Sequence, residues 1–158
     1  MKMKKILVYT DGSCFGNPGK GGYAAIIRNG NKCQTITGSV PWSTNNRMEL
    51  TAVIEGLSAV PYGSAVSVFT DSGYIERAFN EGRVDIWMSN GWRRIRTGEP
   101  VQNADRFLVL CELIQSKNLN VEFIKLKAHA INYYNNMADY FARKAAKNQI
   151  ERHSFYDN

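Results

Sequence analysis

Leu7-Val8-Tyr9-Thr10-Asp11-Gly12-Ser13-Cys14-Phe15-Gly16-Asn17-Pro18-Gly19 is the stretch around which the chain is organised. A short apolar run leads straight into an aspartate, and Gly12, Gly16, Pro18 and Gly19 are then expected to turn the backbone. A carboxylate at the end of a hydrophobic run is costly to place there unless something pairs with it. The phrase returns sixty residues later as Val68-Phe69-Thr70-Asp71-Ser72-Gly73. Two strand ends of the form aromatic-Thr-Asp-small predict two neighbouring strands that deliver two carboxylates to one place. Side-by-side strands would set those carboxylates about 5 Å apart.

Outward from this stretch, residues 5–14, 22–28 and 33–40 read as three strands. Asn29-Gly30-Asn31 supplies a hairpin turn, so the three form an antiparallel meander. Ser43 or Thr44 caps a helix carrying Leu50, Val53, Ile54 and Leu57 as an apolar stripe. Residues 65–70 are a fourth strand, reached through that helix and therefore parallel to the first. Ser72 caps a helix over 73–79, which stops at Gly82. A short helix over 84–88, a basic loop over 90–98 and a helix over 104–115 follow. Residues 121–126 are the fifth strand and 135–147 the last helix. The expectation is an α/β domain over residues 1–149, with 150–158 as a frayed C-terminal tail.

Composition narrows the classes. A chain of 158 residues with 44% hydrophobic and 22% charged residues suits one globular domain with a real core. After the basic start only Ile6 to Tyr9 form an apolar run, too short for a signal peptide or a membrane span. Cys14, Cys33 and Cys111 contain no Cys-x-x-Cys pair, which gives no disulfide framework or zinc site and fits a reducing cytoplasm. The formal net charge of +6 favours a polyanionic partner. No segment predicts a protein interface, so a monomer without an obligate protein partner is expected.

Two further carboxylates belong with Asp11 and Asp71. Glu49 stands at the edge of the apolar stripe, beside Leu50, and Asp139 sits between Ala138 and Phe141-Ala142 near the start of the last helix. Taken singly, Asp-Gly and Asp-Ser are common turn pairs, and Glu49 and Asp139 are ordinary helix charges. Gathered together, each pair at about 4 Å would repel by about 4 kcal/mol at an effective dielectric near 20. Four such groups do not stay ionised side by side without a cation. Oxygen donors without a His or Cys cluster suit a hard ion, Mg²⁺ or Mn²⁺. Two such ions about 4 Å apart can activate a water and stabilise a leaving oxygen in phosphodiester cleavage. His129, ten residues before Asp139, has a side chain suited to proton traffic near neutrality.

Four motifs carry a resemblance. They are the run from Asp11 to Tyr23, Thr44-Asn-Asn-Arg-Met-Glu-Leu50, Thr70-Asp-Ser72, and His129 ten residues before Asp139. In order and spacing, over nearly the whole chain, they resemble type 1 ribonuclease H, the bacterial ribonuclease HI family. The resemblance implies a five-stranded mixed sheet with helices on both faces. It implies endonucleolytic cleavage of the RNA strand of an RNA–DNA hybrid, giving 5′-phosphate and 3′-hydroxyl ends. It assigns two Mg²⁺, with Mn²⁺ as a substitute, to Asp11, Glu49, Asp71 and Asp139, and proton transfer or product release to His129. It places Asn17, Asn45 and Asn46 in the minor groove of the hybrid, where amides both donate and accept. Thr44 and Asn103 would grip one DNA phosphate, and Trp87, Arg93, Arg94 and Arg96 would form the protrusion that holds the DNA strand.

The chain departs from the family pattern at Gly73, where members often carry a longer side chain, and at Arg83, where bacterial members often carry Trp. The protrusion has three arginines and no lysine, and Asn136 replaces a common Glu. Two other classes remain open for these residues: a non-catalytic module that binds hybrids, and a nuclease of the same fold acting on DNA.

Overall fold

Alternation along the first strand decides how the layers are built. The computed structural model describes residues 4–127 and 132–157. In chain order these form β1 (Ile6–Gly16), β2 (Gly19–Asn29), β3 (Lys32–Ser43), α1 (Asn45–Ser58), β4 (Ala65–Thr70), α2 (Gly73–Asn80), α3 (Arg83–Ser89), α4 (Ala104–Ser116), β5 (Asn120–Lys125), α5 (Tyr133–Asn148) and β6 (His153–Asp157). Successive strand residues point to opposite faces. Ile6 and Val8 therefore join one core with Leu50, Val53 and Leu57 of α1, Ile75 of α2, Val84 of α3 and Phe107 and Leu110 of α4. Leu7 and Tyr9 join the other, with Ile26 of β2 and Met137, Ala138 and Phe141 of α5. The sheet is a filling between α1–α4 and α5.

The strands lie in the order β5-β4-β1-β2-β3-β6. The meander of β1, β2 and β3 is antiparallel, as expected. β4 runs parallel to β1, pairing Ile6 with Val66 and Tyr9 with Phe69. This is the sixty-residue offset of the repeated phrase, so Asp11, still inside β1, lies beside Asp71, the first residue past the end of β4. β5 is parallel to β4.

Two expectations are corrected. The first strand, expected to end at Cys14, runs on to Gly16, and Gly12, expected to help turn the backbone, pairs with Tyr23 inside the ladder. Only the four residues from Gly16 to Gly19 reverse the chain, with Gly16 at φ +79°. Gly12 serves packing, since a Cβ there would collide with the backbone of Met48 and Glu49. The expected frayed tail is also wrong: residues 153–157 form a sixth strand on β3, pairing Thr35 with Phe155. Phe155 meets Phe141 of α5 edge-on at 5.5 Å, and Arg152 bonds Glu55 at 2.8 Å. A sequence of polar residues around Phe155 and Tyr156 hides that anchorage. Among the described residues no helix is long and apolar enough to cross a membrane.

Candidate active site

Each acidic side chain is delivered by a different element. Asp11 comes from β1 and Asp71 from the residue that follows β4. Thr70 turns that corner by accepting the Ser72 N–H at 3.0 Å, and the Ser72 hydroxyl caps α2 through Ile75 N–H. Glu49 comes from the start of the second turn of α1, whose N-terminus Thr44 caps by accepting the Arg47 N–H at 3.2 Å. Gly12 lets that turn press onto β1, so Glu49 reaches the strand end. Asp139 comes from α5, which is held close to the sheet because Gly22 has no side chain: a Cβ there would strike Ala142 and Ala146.

Carboxylate oxygens of Asp11, Glu49 and Asp71 lie within 4.8 Å of one another. That agrees with the separation expected from neighbouring strands. Asp139 stands beside them, close enough that it and Asp11 shift one another's titration, but is outside this group of three. Arg143, one helical turn further along α5, grips both Asp139 oxygens, with Nε at 3.1 and 3.0 Å. The Asp139–Arg143 spacing of four residues was readable from the sequence as a helical ion pair, yet Arg143 was not singled out.

Burial and crowding act on the acids together. Asp11 is pushed up to about 7, chiefly by burial, with Asp71 and Asp139 adding to the rise and a Glu49 hydrogen bond opposing it. Burial also holds Glu49 well above the usual carboxylate range, helped by the charge of Asp11. Asp71 is raised by burial first, opposed by a backbone hydrogen bond. Asp139 alone is lowered: burial pushes it up, but bonds from Arg143 and Asp11 outweigh that. Glu49 Oε2 is buried with no hydrogen-bond donor. A buried carboxylate oxygen without a partner costs about 1–3 kcal/mol or more. The Gly12 N–H donates to Asp11 Oδ1 at 2.9 Å, and its pull on Glu49 is the smallest influence there, too weak to offset burial. Three crowded carboxylates, an oxygen without a donor, and no histidine or cysteine in the group fit a hard divalent metal ion.

The residues expected to hold nucleic acid fall in two places. Near the acids, Asn17 Oδ1 accepts the Asn45 N–H at 3.1 Å and ties the β1–β2 turn to the start of α1, where Asn45 and Asn46 are exposed. Thr44 is linked to Asn103 through Arg47, whose backbone bonds Thr44 and whose Nη1 reaches Asn103 Oδ1 at 3.5 Å. Asp105 fixes that arginine at 3.0 Å, and Tyr74 OH accepts from Asn103 Nδ2 at 3.2 Å. Arg47, which stands inside the Thr44–Leu50 motif, and Tyr74, which no motif contains, are positioning side chains.

Further out, the loop between α3 and α4 folds on itself. The Trp92 N–H bonds Trp87 O at 2.7 Å, the Arg94 N–H bonds Glu99 O at 2.8 Å, and the Val101 N–H bonds Trp92 O at 2.9 Å. Trp87 is half-buried, with its ring edge-on to Phe107 at 5.3 Å. Arg93, Arg94 and Arg96 are exposed. A cleft of about 360 Å³ lined by Tyr74, Trp87 and Arg94 opens beside them. Arg77 lies over Gly73 and occupies the space that a longer residue 73 would fill. His129 lies outside the described residues.

Known proteins resemble this chain throughout its length. The family model RNase H matches residues 3–147. A protein named Ribonuclease H from Prosthecochloris aestuarii is 45% identical over 145 residues, covering 92% of this chain and 97% of the relative. Ribonuclease H from a Thermoanaerobacter species is 44% identical over 149 residues, covering 94% and 92%. Among solved structures, LC9-RNase H1, described as a type 1 RNase H with the type 2 active-site motif, superposes with a TM-score of 0.74 at 27% identity, over 98% of this chain and 79% of that one. LC11-RNase H1 in complex with RNA/DNA hybrid shares the fold, with a TM-score of 0.61 at 24% identity over 90% and 97% of the two chains.

Proposed function

We infer the function from one premise: this chain belongs to the ribonuclease H family. As a ribonuclease H it is an endoribonuclease, and we assign it hydrolysis of the RNA strand of RNA–DNA hybrids. The observation that carries this reading is the convergence of Asp11, Glu49 and Asp71, with a buried Glu49 oxygen that has no donor.

Asp11, Glu49, Asp71 and Asp139 would hold two Mg²⁺, with Mn²⁺ as a substitute. When bound, the ions supply an activated water and charge stabilisation at the phosphate. The Gly12 N–H orients the Asp11 carboxylate, and Arg143 orients that of Asp139. The water oxygen bonds to phosphorus and loses a proton as the P–O3′ bond breaks, the phosphate stays on the 5′ end of one product, and the 3′ oxygen of the other takes a proton. His129 is assigned to that proton transfer or to product release, on its place in the sequence before Asp139.

The remaining side chains hold the hybrid in register. Asn17, Asn45 and Asn46 present amides to base edges and 2′-hydroxyls, which differ between the RNA and DNA strands. Thr44, Asn103 and Arg47 make a small polar cluster for one DNA phosphate. Trp87, Arg93, Arg94 and Arg96 hold the DNA backbone further along. The protein is read as a cytoplasmic monomer, in keeping with its three free cysteines.

Four end-labelled substrates with Mg²⁺ test this reading: RNA–DNA hybrid, double-stranded DNA, double-stranded RNA and single-stranded RNA. Cleavage of only the hybrid's RNA strand is expected, abolished by EDTA and by Asp71→Asn. Binding without cutting would make the chain a hybrid-binding module instead. Cutting of duplex DNA would move it to another branch of the fold.

A further inference from the structure

The surface beyond Asp139 has a composition that the assigned reaction leaves unused. One hollow of about 600 Å³ starts at Asp139 and is lined by Phe15, Tyr140, Arg143, Lys144 and Lys147. A second, of about 570 Å³, is lined by Phe15, Lys20, Trp42 and Lys147, together with Pro18 and Pro41. They share Phe15 and Lys147, so they form one continuous path away from the acids. From Asp139 to Lys147 the helix alone covers about 12 Å.

Two features of this path point to a ligand. Its charge is one-sided: Lys20, Lys144 and Lys147 are exposed and none joins an ion pair among the described residues, while Asp139, the acid at its head, is already paired with Arg143. Its aromatic rings are exposed, Phe15 51%, Tyr140 58% and Trp42 70%, with Lys144 Nζ 5.8 Å from the Tyr140 ring centre. Isolated exposed aromatics are unremarkable. Three along one lysine-lined path are the composition of surfaces that stack unpaired bases while neutralising their phosphates. Paired bases could not use these rings, because their faces are already stacked within the helix.

We propose that Phe15, Lys20, Trp42, Tyr140, Lys144 and Lys147 form a track for an unpaired extension of the RNA strand being cut. This rests on the ribonuclease H reading, since the track begins at the acids that would hold the scissile phosphate. It favours substrates in which RNA continues beyond the hybrid as a single strand. The occupant is RNA rather than DNA because the strand leaving Asp139 is the one that is cut.

The test measures affinity in the Asp71→Asn background, where cleavage is stopped. Fluorescence anisotropy compares a blunt hybrid with the same hybrid bearing an unpaired oligouridine extension at the 5′ or 3′ RNA end, or on the DNA strand. One RNA extension should tighten binding about five- to tenfold. Adding Trp42→Ala, or Lys20→Ala with Lys147→Ala, should remove that gain while leaving blunt-hybrid affinity and the melting temperature unchanged. No gain from either RNA extension, a gain that survives both sets of substitutions, or an equal gain from the DNA extension overturns the proposal. Cleavage of blunt hybrid by the unsubstituted protein reports separately on the ribonuclease reading. A chain that cuts blunt hybrid but shows no gain loses only the track. A chain that cuts no hybrid loses the reading and the track with it.

Discussion

The acidic centre and the basic loop between α3 and α4 are built in opposite ways. The centre draws residues 11, 49, 71 and 139 from four elements and buries two of them. The loop draws Arg93, Arg94 and Arg96 from one stretch, leaves all three exposed, and fastens itself by local hydrogen bonds. The centre tolerates no added atom at Gly12, whereas Gly91 and Gly98 have open space around them. Positioning charge for chemistry demands long-range packing and desolvation. Holding a flexible polyanion demands only charge at about the right height above the surface. Damage to the first should therefore be steep and metal-linked, and damage to the second shallow and salt-linked.

The largest effect expected is at the centre. Glu49→Gln or Asp71→Asn should lower kcat by about a thousandfold or more, since each removes a charge that the metal and the developing phosphate charge need. In the metal-free protein near neutral pH Glu49→Gln should at the same time raise the melting temperature, because it removes a buried carboxyl that folding must either keep protonated or hold charged beside Asp11. An unchanged melting temperature together with unchanged kcat would erase the contrast between the two regions.

Gly12→Ala tests packing without touching charge. The clash with the Glu49 backbone should destabilise the fold by about 1–3 kcal/mol and lower kcat at least tenfold through displacement of Glu49. Gly91→Ala, at φ +63° with nothing nearby, should cost about 1 kcal/mol of backbone strain and leave kcat intact. Urea melts and steady-state kinetics on both proteins decide it.

The pH dependence of stability sharpens the comparison further. Asp11 has its folded pKa raised from 3.8 to about 7, so the native state binds the proton more tightly than the unfolded chain. Its contribution is fully present below 3.8 and is lost as the pH rises through about 7. Over that window the shift is worth about 4 kcal/mol, or on the order of 10 °C in melting temperature. The metal-free protein should thus melt lower near pH 8 than near pH 5, and Mg²⁺ or Mn²⁺ should raise the melting temperature more at the higher pH. Calorimetry with and without EDTA checks the sign.

The smallest effect belongs to the loop. Arg94→Ala or Arg96→Ala should raise KM a few-fold with kcat unchanged and reduce the salt slope of hybrid binding by about 1 each. With only three cations, Arg93, Arg94 and Arg96, the loop should give a shallower slope than a relative whose loop carries additional lysines.

The sequence by itself determined much of this protein. Strong local patterns carried the meander, the parallel return to β4, the stripe on α1 and the Ser72 cap, because period and turn chemistry are written in neighbouring residues. The repeated aromatic-Thr-Asp phrase announced that Asp11 and Asp71 would meet, because parallel strands with a constant offset must align their ends. Tertiary structure decided what depends on contact across the chain. Gly12 read as a turn residue and proved to be the floor on which α1 rests, since absent atoms show their purpose only when a neighbour fills the space. The tail became β6 because an aromatic on α5 and the open edge of β3 gave polar residues a partner. Arg143 and Arg47 found Asp139 and Asp105, pairings whose value comes from the acids and amides gathered around them. The orphaned oxygen of Glu49 exists only because folding stripped it of water before anything in the chain could replace it.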